Sequence, residues 1–182
     1  MTFDALTAQL PGVVLKTIAT ADRQETIVVE AERIVDVCRA LRDGPALGFI
    51  FLSDITAADF WPRQPRFEVV YHLASQTARL RLKVIVTGPP AHVPTVQSVW
   101  PGAGWLEREV WDMFGIEFDG HGDLRRLLMP EDWEGHPLRK DFPVQIRLKA
   151  RSSQPLQITE EEFRANLAKD RAARGRGVGA GH

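Results

Sequence analysis

A single cysteine stands among the 182 residues of this chain. Cys38 alone excludes a disulfide framework, a CxxC zinc site and a self-contained iron–sulfur cluster, all of which need several thiolates. The scarcity points to the cytoplasm, with any redox cofactor supplied by another chain. Long apolar runs are missing as well, and none approaches the ~20 residues that span a bilayer. The N-terminus MTFDALTAQL has Asp4 but no Lys or Arg, unlike a secretory signal or an Arg-rich transit peptide. Excess charge of one sign is also absent. A formal net charge of -1 and a pI near 6.5 exclude a nucleic-acid binder that relies on a broad basic field.

What is present is globular. Apolar residues make up 44% and charged residues 26%, so a real core with some non-globular length is expected. Phe3, Leu6 and Leu10 fall at helical spacing and end at Pro11–Gly12. Val13–Thr17 and Thr26–Val29 are β-branched runs joined by a polar loop. Ile34, Val37, Cys38 and Leu41 form the clearest helical stripe, with Gly44 placed as its C′ residue and Cys38 as a buried hydrophobe. Leu47–Leu52, apolar on both faces, predicts a central strand, followed by a loop over SDITAADFWPRQP. Phe67, Val69, Tyr71 and Leu73 alternate with polar partners. So do Leu80, Leu82, Val84 and Val86 against Arg79, Arg81 and Lys83, across a short ASQT connection. The class is therefore α+β: a small mixed or antiparallel sheet with helices packed on one face, followed by an extended C-terminal docking segment. Three regions are expected, at residues 1–100, 101–150 and 151–182. In the last, Thr159 and Glu162 make a capping box before a helix with an apolar edge of Phe163 and Leu167, and the chain ends in a glycine-rich tail.

The stretch from Trp105 to Pro143 concentrates tryptophan, arginine and acid. Ala103–Phe114 has helical period, with Leu106, Val110 and Met113 on one face, Trp105 and Phe114 widening it, and Gly115 as cap. Glu107, Arg108, Glu109 and Asp112 fill the rest. Glu107 and Glu109 are ~200° apart around a helix and cannot share a substrate atom, whereas Glu109 and Asp112 are ~60° apart and could. Arg108 lies four residues before Asp112, so an ion pair between them is the plainer reading. His121, Asp123 and His136 repeat no ligand spacing, and no serine, cysteine or glycine loop has catalytic context. No catalytic, cofactor-binding or metal-binding residue is assigned.

The following DGHGDLRRLLMPEDWEGHPLRKDFP contains Met129, Trp133, Arg125, Arg126 and Arg139, residue types enriched at interface centres. Turns and prolines leave its backbone without a ladder of its own, so it must lie against a scaffold. A partner chain is the preferred scaffold, with Arg125, Arg126 and Arg139 expected to pair with acids of that neighbour.

At these residues the chain resembles the 30-kDa subunit of respiratory complex I, the C subunit of bacterial NADH–quinone oxidoreductase. The family signature is an E-R-E triplet, two residues, an acid, two apolar residues, then after six more a His and a basic residue four beyond it. Glu107-Arg108-Glu109, Asp112, Met113-Phe114, His121 and Arg125 match in register, and Leu124–Pro143 continues the likeness. One departure is Gly122, in His121-Gly122-Asp123, where the family usually has proline. The resemblance implies a peripheral-arm subunit that binds no cofactor, while FMN, iron–sulfur clusters, NADH and quinone lie on other subunits. It implies partners in the quinone-site subunit, whose fold is similar to the hydrogenase large subunit, and in its cluster-bearing neighbours. It implies the cytoplasmic face of the bacterial inner membrane, reached only through the complex, and no nucleic acid. The interface residues it implies are Glu107, Arg108, Glu109, Asp112, His121, Asp123, Arg125, Arg126, Trp133, Arg139 and Asp141. Two alternatives stay open. One is the equivalent subunit of a membrane-bound hydrogenase or of an F420-dependent or ferredoxin-dependent complex. The other is a free-standing enzyme using Glu109, Asp112 and His121.

Overall fold

The computed structural model describes residues 2–45 and 47–143, together with 161, 164 and 165. Met1–Phe142 form one compact unit and Pro143–His182 another. In the second unit residues 161, 164 and 165 are helical. The expected capping box, apolar edge and glycine-rich tail lie outside the described residues. Among the described residues no helix is long and apolar enough to cross a membrane.

The first unit is built on five strands in the order β1-β2-β5-β4-β3. The strands are β1 (Val14–Ile18), β2 (Glu25–Val29), β3 (Phe51–Asp59), β4 (Phe67–Ala74) and β5 (Arg79–Val86). The β4–β5 hairpin sets Val69 opposite Val84, Tyr71 opposite Leu82 and Leu73 opposite Leu80. Strand β2 joins β5 in parallel, with Ile27 against Leu82 and Val29 against Val84. Period-two alternation thus brings one apolar row from three strands onto one buried face. Helix α1 (Thr2–Gln9) adds Leu6 to that core. Helix α2 (Ile34–Asp43) adds Ile34, Val37, Cys38 and Leu41, each fully buried. A buried aliphatic side chain of this size stabilises by about 1.5–3 kcal/mol. On the opposite face two of the three basic residues of β5 are paired: Lys83 with Glu68 at 2.9 Å and Arg81 with Asp22 at 2.8 Å.

Two expectations are corrected here. Leu47–Ile50 is not a strand; it is a turn held by the Phe49 N–H on the Leu41 carbonyl at 2.9 Å, which buries Leu47 and Phe49. The strand proper, β3, begins at Phe51, runs through the stretch read as loop, and lies at the sheet edge. Edge placement leaves one flank unpaired, which explains a burial pattern too irregular to read from sequence. Gly44 ends α2 in an extended conformation, φ −65° and ψ 125°, rather than a left-handed one. Any Cβ there would run into the Ala40 carbonyl.

Beyond β5, the short parallel pair β6 (His92–Pro94) and β7 (Glu117–Asp119) brackets α3 (Ala103–Phe114). Gly115 closes α3 at φ 69°, in the left-handed region, with its N–H on the Trp111 carbonyl. Val110, Met113 and Phe114 are buried as expected, but Trp105 is 63% exposed. The side of α3 read as polar is buried instead at Glu107, Arg108 and Asp112. Glu107 is covered by the turn at Thr95–Val96, and Arg108 and Asp112 by the segment that follows.

Candidate functional site

Residues 124–142 have no strand or helix, yet several of their backbone groups are bonded along α3 and its C-terminal end. Asp112 is the centre of this fastening. One of its carboxylate oxygens, Oδ2, accepts the N–H groups of Leu127, Leu128 and Met129 at 3.0, 2.7 and 2.9 Å. The other, Oδ1, takes Arg126 Nη1 at 2.8 Å. Burial pushes this carboxyl up, but the Met129 N–H, the Arg126 guanidinium and the other two N–H groups outweigh it and hold it below the usual range. A fully buried carboxylate with both oxygens occupied is structural and is not available as a base.

Arg126 does more than neutralise that charge. Its Nη2 donates to the carbonyls of Trp133 at 2.8 Å and Gly135 at 2.9 Å, and Nη1 also reaches the Asp112 carbonyl at 3.1 Å. Upstream, Arg108 Nε and Nη2 donate to the carbonyls of Arg125 and Arg126, both at 2.6 Å. Downstream, His136 Nδ1 lies 3.0 Å from the Asp112 carbonyl, and the Leu138 N–H reaches the Met113 carbonyl at 3.0 Å. Arg139 donates to the carbonyls of Phe114 and Gly115, the acceptors that a helix end leaves unmet. A last anchor lies on the sheet. Buried Asp59 accepts the Lys140 N–H at 2.8 Å, the Trp61 N–H and two Arg66 nitrogens, while Arg66 also holds Asp141 at 2.6 Å.

These contacts correct two readings. Arg108 does not pair with Asp112; Arg126, fourteen residues away, does. The scaffold of the segment is α3 itself rather than a partner chain, with Arg126 and Arg139 donating to groups of their own chain. The other expected residues divide. Glu107 turns inward, accepting the Val96 N–H at 2.7 Å and the Thr95 hydroxyl at 2.5 Å; burial raises its carboxyl above the usual range. His121 bonds the Gly104 carbonyl at 3.0 Å. Glu109, Asp123, Arg125 and Asp141 are exposed. Trp133 stacks on Phe142 with ring centroids 6.3 Å apart, and its buried Nε1 has no hydrogen-bond partner among the described residues. Exposed Glu109 and enclosed Asp112 make no shared pair, and no group of three metal-ligating side chains occurs among the described residues.

Sequence reasoning missed Asp59, Arg66, Thr95 and the structural role of His136. Only Asp59 and Arg66 carried a signal, an acid and a base flanking the proline-rich turn before β4. It also missed the outward side chains. Leu128 is 59% exposed and Leu138 54%, both on the fastened segment.

A mixed sheet with a helix that fastens an irregular segment, leaving Leu128 and Leu138 turned outward, defines the class as a small α+β chain. Comparison with known proteins gives that class its family. The model of the family described as "Respiratory-chain NADH dehydrogenase, 30 Kd subunit" matches residues 27–147. The chain is 52% identical over 143 residues to the NADH-quinone oxidoreductase C subunit of Roseiflexus sp. (strain RS-1), covering 78% of this chain and 82% of that protein. A solved trypsin-resistant fragment of Nqo5 superposes with a TM-score of 0.56 at 33% identity, over 68% of this chain and 96% of that one. A chain of the membrane-bound sulfane sulfur reductase, an archaeal respiratory membrane complex, superposes at 0.66 with 27% identity, over 79% and 84%. The chain belongs to the 30-kDa subunit family of respiratory-chain NADH dehydrogenase.

Proposed function

We propose that this chain is a subunit of the proton-pumping NADH:quinone oxidoreductase, placed in the peripheral arm, where it ties the quinone-site subunit to cluster-bearing neighbours. Family membership supports the assignment to that enzyme. One observation carries the docking role: residues 124–142 are fastened by their own chain, yet leave Leu128 and Leu138 exposed. Large apolar side chains held on a rigid support lose little freedom on binding, which favours association. Glu109, Asp123, Arg125 and Asp141 are exposed as well, the polar residue types that rim an interface. In this reading the chain contributes no catalytic group. FMN, iron–sulfur clusters and quinone are held by other subunits, and attachment to the cytoplasmic face of the inner membrane goes through the complex.

The test is recovery of the chain with the complex after gentle solubilisation of membranes. Leu128→Asp and Leu138→Asp are expected to lower recovery about tenfold or more, while the purified chain keeps its thermal midpoint. Full recovery of both variants contradicts the docking role. Likeness to the sulfane sulfur reductase chain favours a second reading, the equivalent subunit of a related respiratory complex. Co-purifying flavin- and NADH-binding subunits support the first reading; their replacement by other electron-input subunits supports the second.

A further inference from the structure

A cavity of about 180 Å³ opens between the start of α3 and the turn at residues 121–123, lined chiefly by Gln97, Gly104, Trp105, Arg108, His121 and Asp123. Cavities of roughly 150 Å³ admit a benzene-sized group, so the tip of a side chain fits. Arg108 is its fixed charge. The side chain is 10% exposed, and two of its nitrogens are held by the carbonyls of Arg125 and Arg126. Its guanidinium also lies over the Trp105 ring, 5.5 Å from the centroid. The third nitrogen, Nη1, has no hydrogen bond among the described residues. The nearest carboxylate oxygen, on Asp123, is 3.7 Å away and lies 3.0 Å from Arg125 Nε. A nearly buried guanidinium with one nitrogen unmet calls for an acceptor, and a charged acceptor is worth more than a neutral one.

The other walls supply no second carboxylate, and the Gln97 amide offers only a neutral acceptor. His121 Nδ1 accepts the Asp123 N–H at 3.0 Å, which leaves the ring proton on Nε2, donated to the Gly104 carbonyl. Gln97 lies beside the ring, its amide 3.1 Å from Nε2. A Cβ on Gly104 would strike that Gln97 side chain, so the glycine keeps room for it against the helix. Two guanidiniums, of Arg108 and Arg125, therefore face one resident carboxylate, Asp123.

We infer that this cavity is a socket for the carboxylate side chain of an aspartate or glutamate on a partner subunit, received by Arg108 Nη1 beneath Trp105. The inference rests on the docking reading above and names the chemistry of one contact within it. Position supports a protein-borne carboxylate over a free ion: exposed Trp105 stands at the mouth, and the cavity adjoins the fastened segment. Asp123 acts as the anion that the incoming carboxylate displaces from the Arg108 side. The occupant therefore binds against a local competitor, and removing that competitor strengthens binding.

The experiment uses the full chain, with sodium acetate and methylammonium chloride as probes at matched ionic strength. The assigned Trp105 indole and Gln97 amide signals are followed by NMR. Acetate is expected to shift both saturably and methylammonium to shift neither. Gln97→Glu places an anion in the socket and weakens acetate binding about tenfold or more; Asp123→Asn strengthens it several-fold. Absence of a saturable acetate shift, or a preference for methylammonium, overturns the inference. The same variants are then used to rebuild membranes depleted of this chain. Half-saturation is expected to rise with Gln97→Glu and fall with Asp123→Asn. Wild-type rebuilding with identical half-saturation for both variants overturns the socket but leaves docking intact. Failure of the wild-type chain to rebuild anything counts against docking instead, while the acetate result still decides the socket.

Discussion

Arg126 Nη1 lies 2.8 Å from Asp112 Oδ1, joining the irregular segment to the buried side of α3. Sequence alone suggested that this arginine reaches outward. It reaches inward, and each of its bonds ties two parts of the same chain. Losing one member of a buried pair leaves the other desolvated and unpaired.

Arg126→Ala is therefore expected to act on the chain before it acts on assembly. It should lower the stability of the purified chain by about 3 kcal/mol, read by urea denaturation. Trypsin should also cut more quickly between residues 124 and 142. An unchanged denaturation curve with normal trypsin resistance would place the segment's support elsewhere.

Gly115 offers a test that removes no hydrogen-bonding group. Its φ of 69° disfavours any side chain, and a Cβ there would meet both Arg139 and His136. A left-handed non-glycine residue costs roughly 1–2 kcal/mol, and displacing those two side chains adds to it. Gly115→Ala should lower the thermal midpoint and speed hydrogen exchange at the Leu138 amide, which bonds to the Met113 carbonyl. Midpoint loss without faster exchange at Leu138 would mean that the helix cap and the segment are independent.

Acid should release the sheet-side anchor. Burial raises the Asp59 carboxyl, but Arg66 and the Lys140 and Trp61 N–H groups outweigh it and hold it at about 2. The unfolded group titrates near ~3.9, so the contribution is complete above that value and is lost as pH falls toward about 2. A shift of this size is worth about 2–3 kcal/mol. The stability difference between the wild-type chain and Asp59→Asn should therefore be largest above pH ~5 and shrink on acidification. Glu107 acts in the opposite sense, because its raised folded value makes stability fall as pH rises through it. A difference that stays constant down to pH ~2 would show that Asp59 is not charged in this role.

Elements with their own period were legible. Ile34, Val37, Cys38 and Leu41 marked α2, Gly115 marked the end of α3, and alternation marked β4 and β5, because each pattern lies within one element. Strand β3 was misplaced because the apolar Leu47–Leu52 run belongs mostly to a turn, while the true edge strand carries Ser53, Asp54 and Thr56. The fastening was hidden for a different reason. Asp112 and Arg126 are fourteen residues apart, and Asp59 meets Lys140 across eighty-one. No repeat links such positions, so Arg108, the nearest arginine on the same helix, was the local choice for Asp112. The signature residues were recognised, but their work turned out to be divided: some hold the segment and others stay outside.

The most direct measurement is hydrogen exchange on the free chain and on the chain within the complex. In the free chain the Leu127, Leu128 and Met129 amides should already be protected, because they bond Asp112. Arg126→Ala should remove that protection. In the complex, assembly should add little at those amides, because the segment arrives already formed. Rapid exchange of the three amides in the free chain, with protection gained only on assembly, would contradict the central claim that this chain shapes its own docking segment.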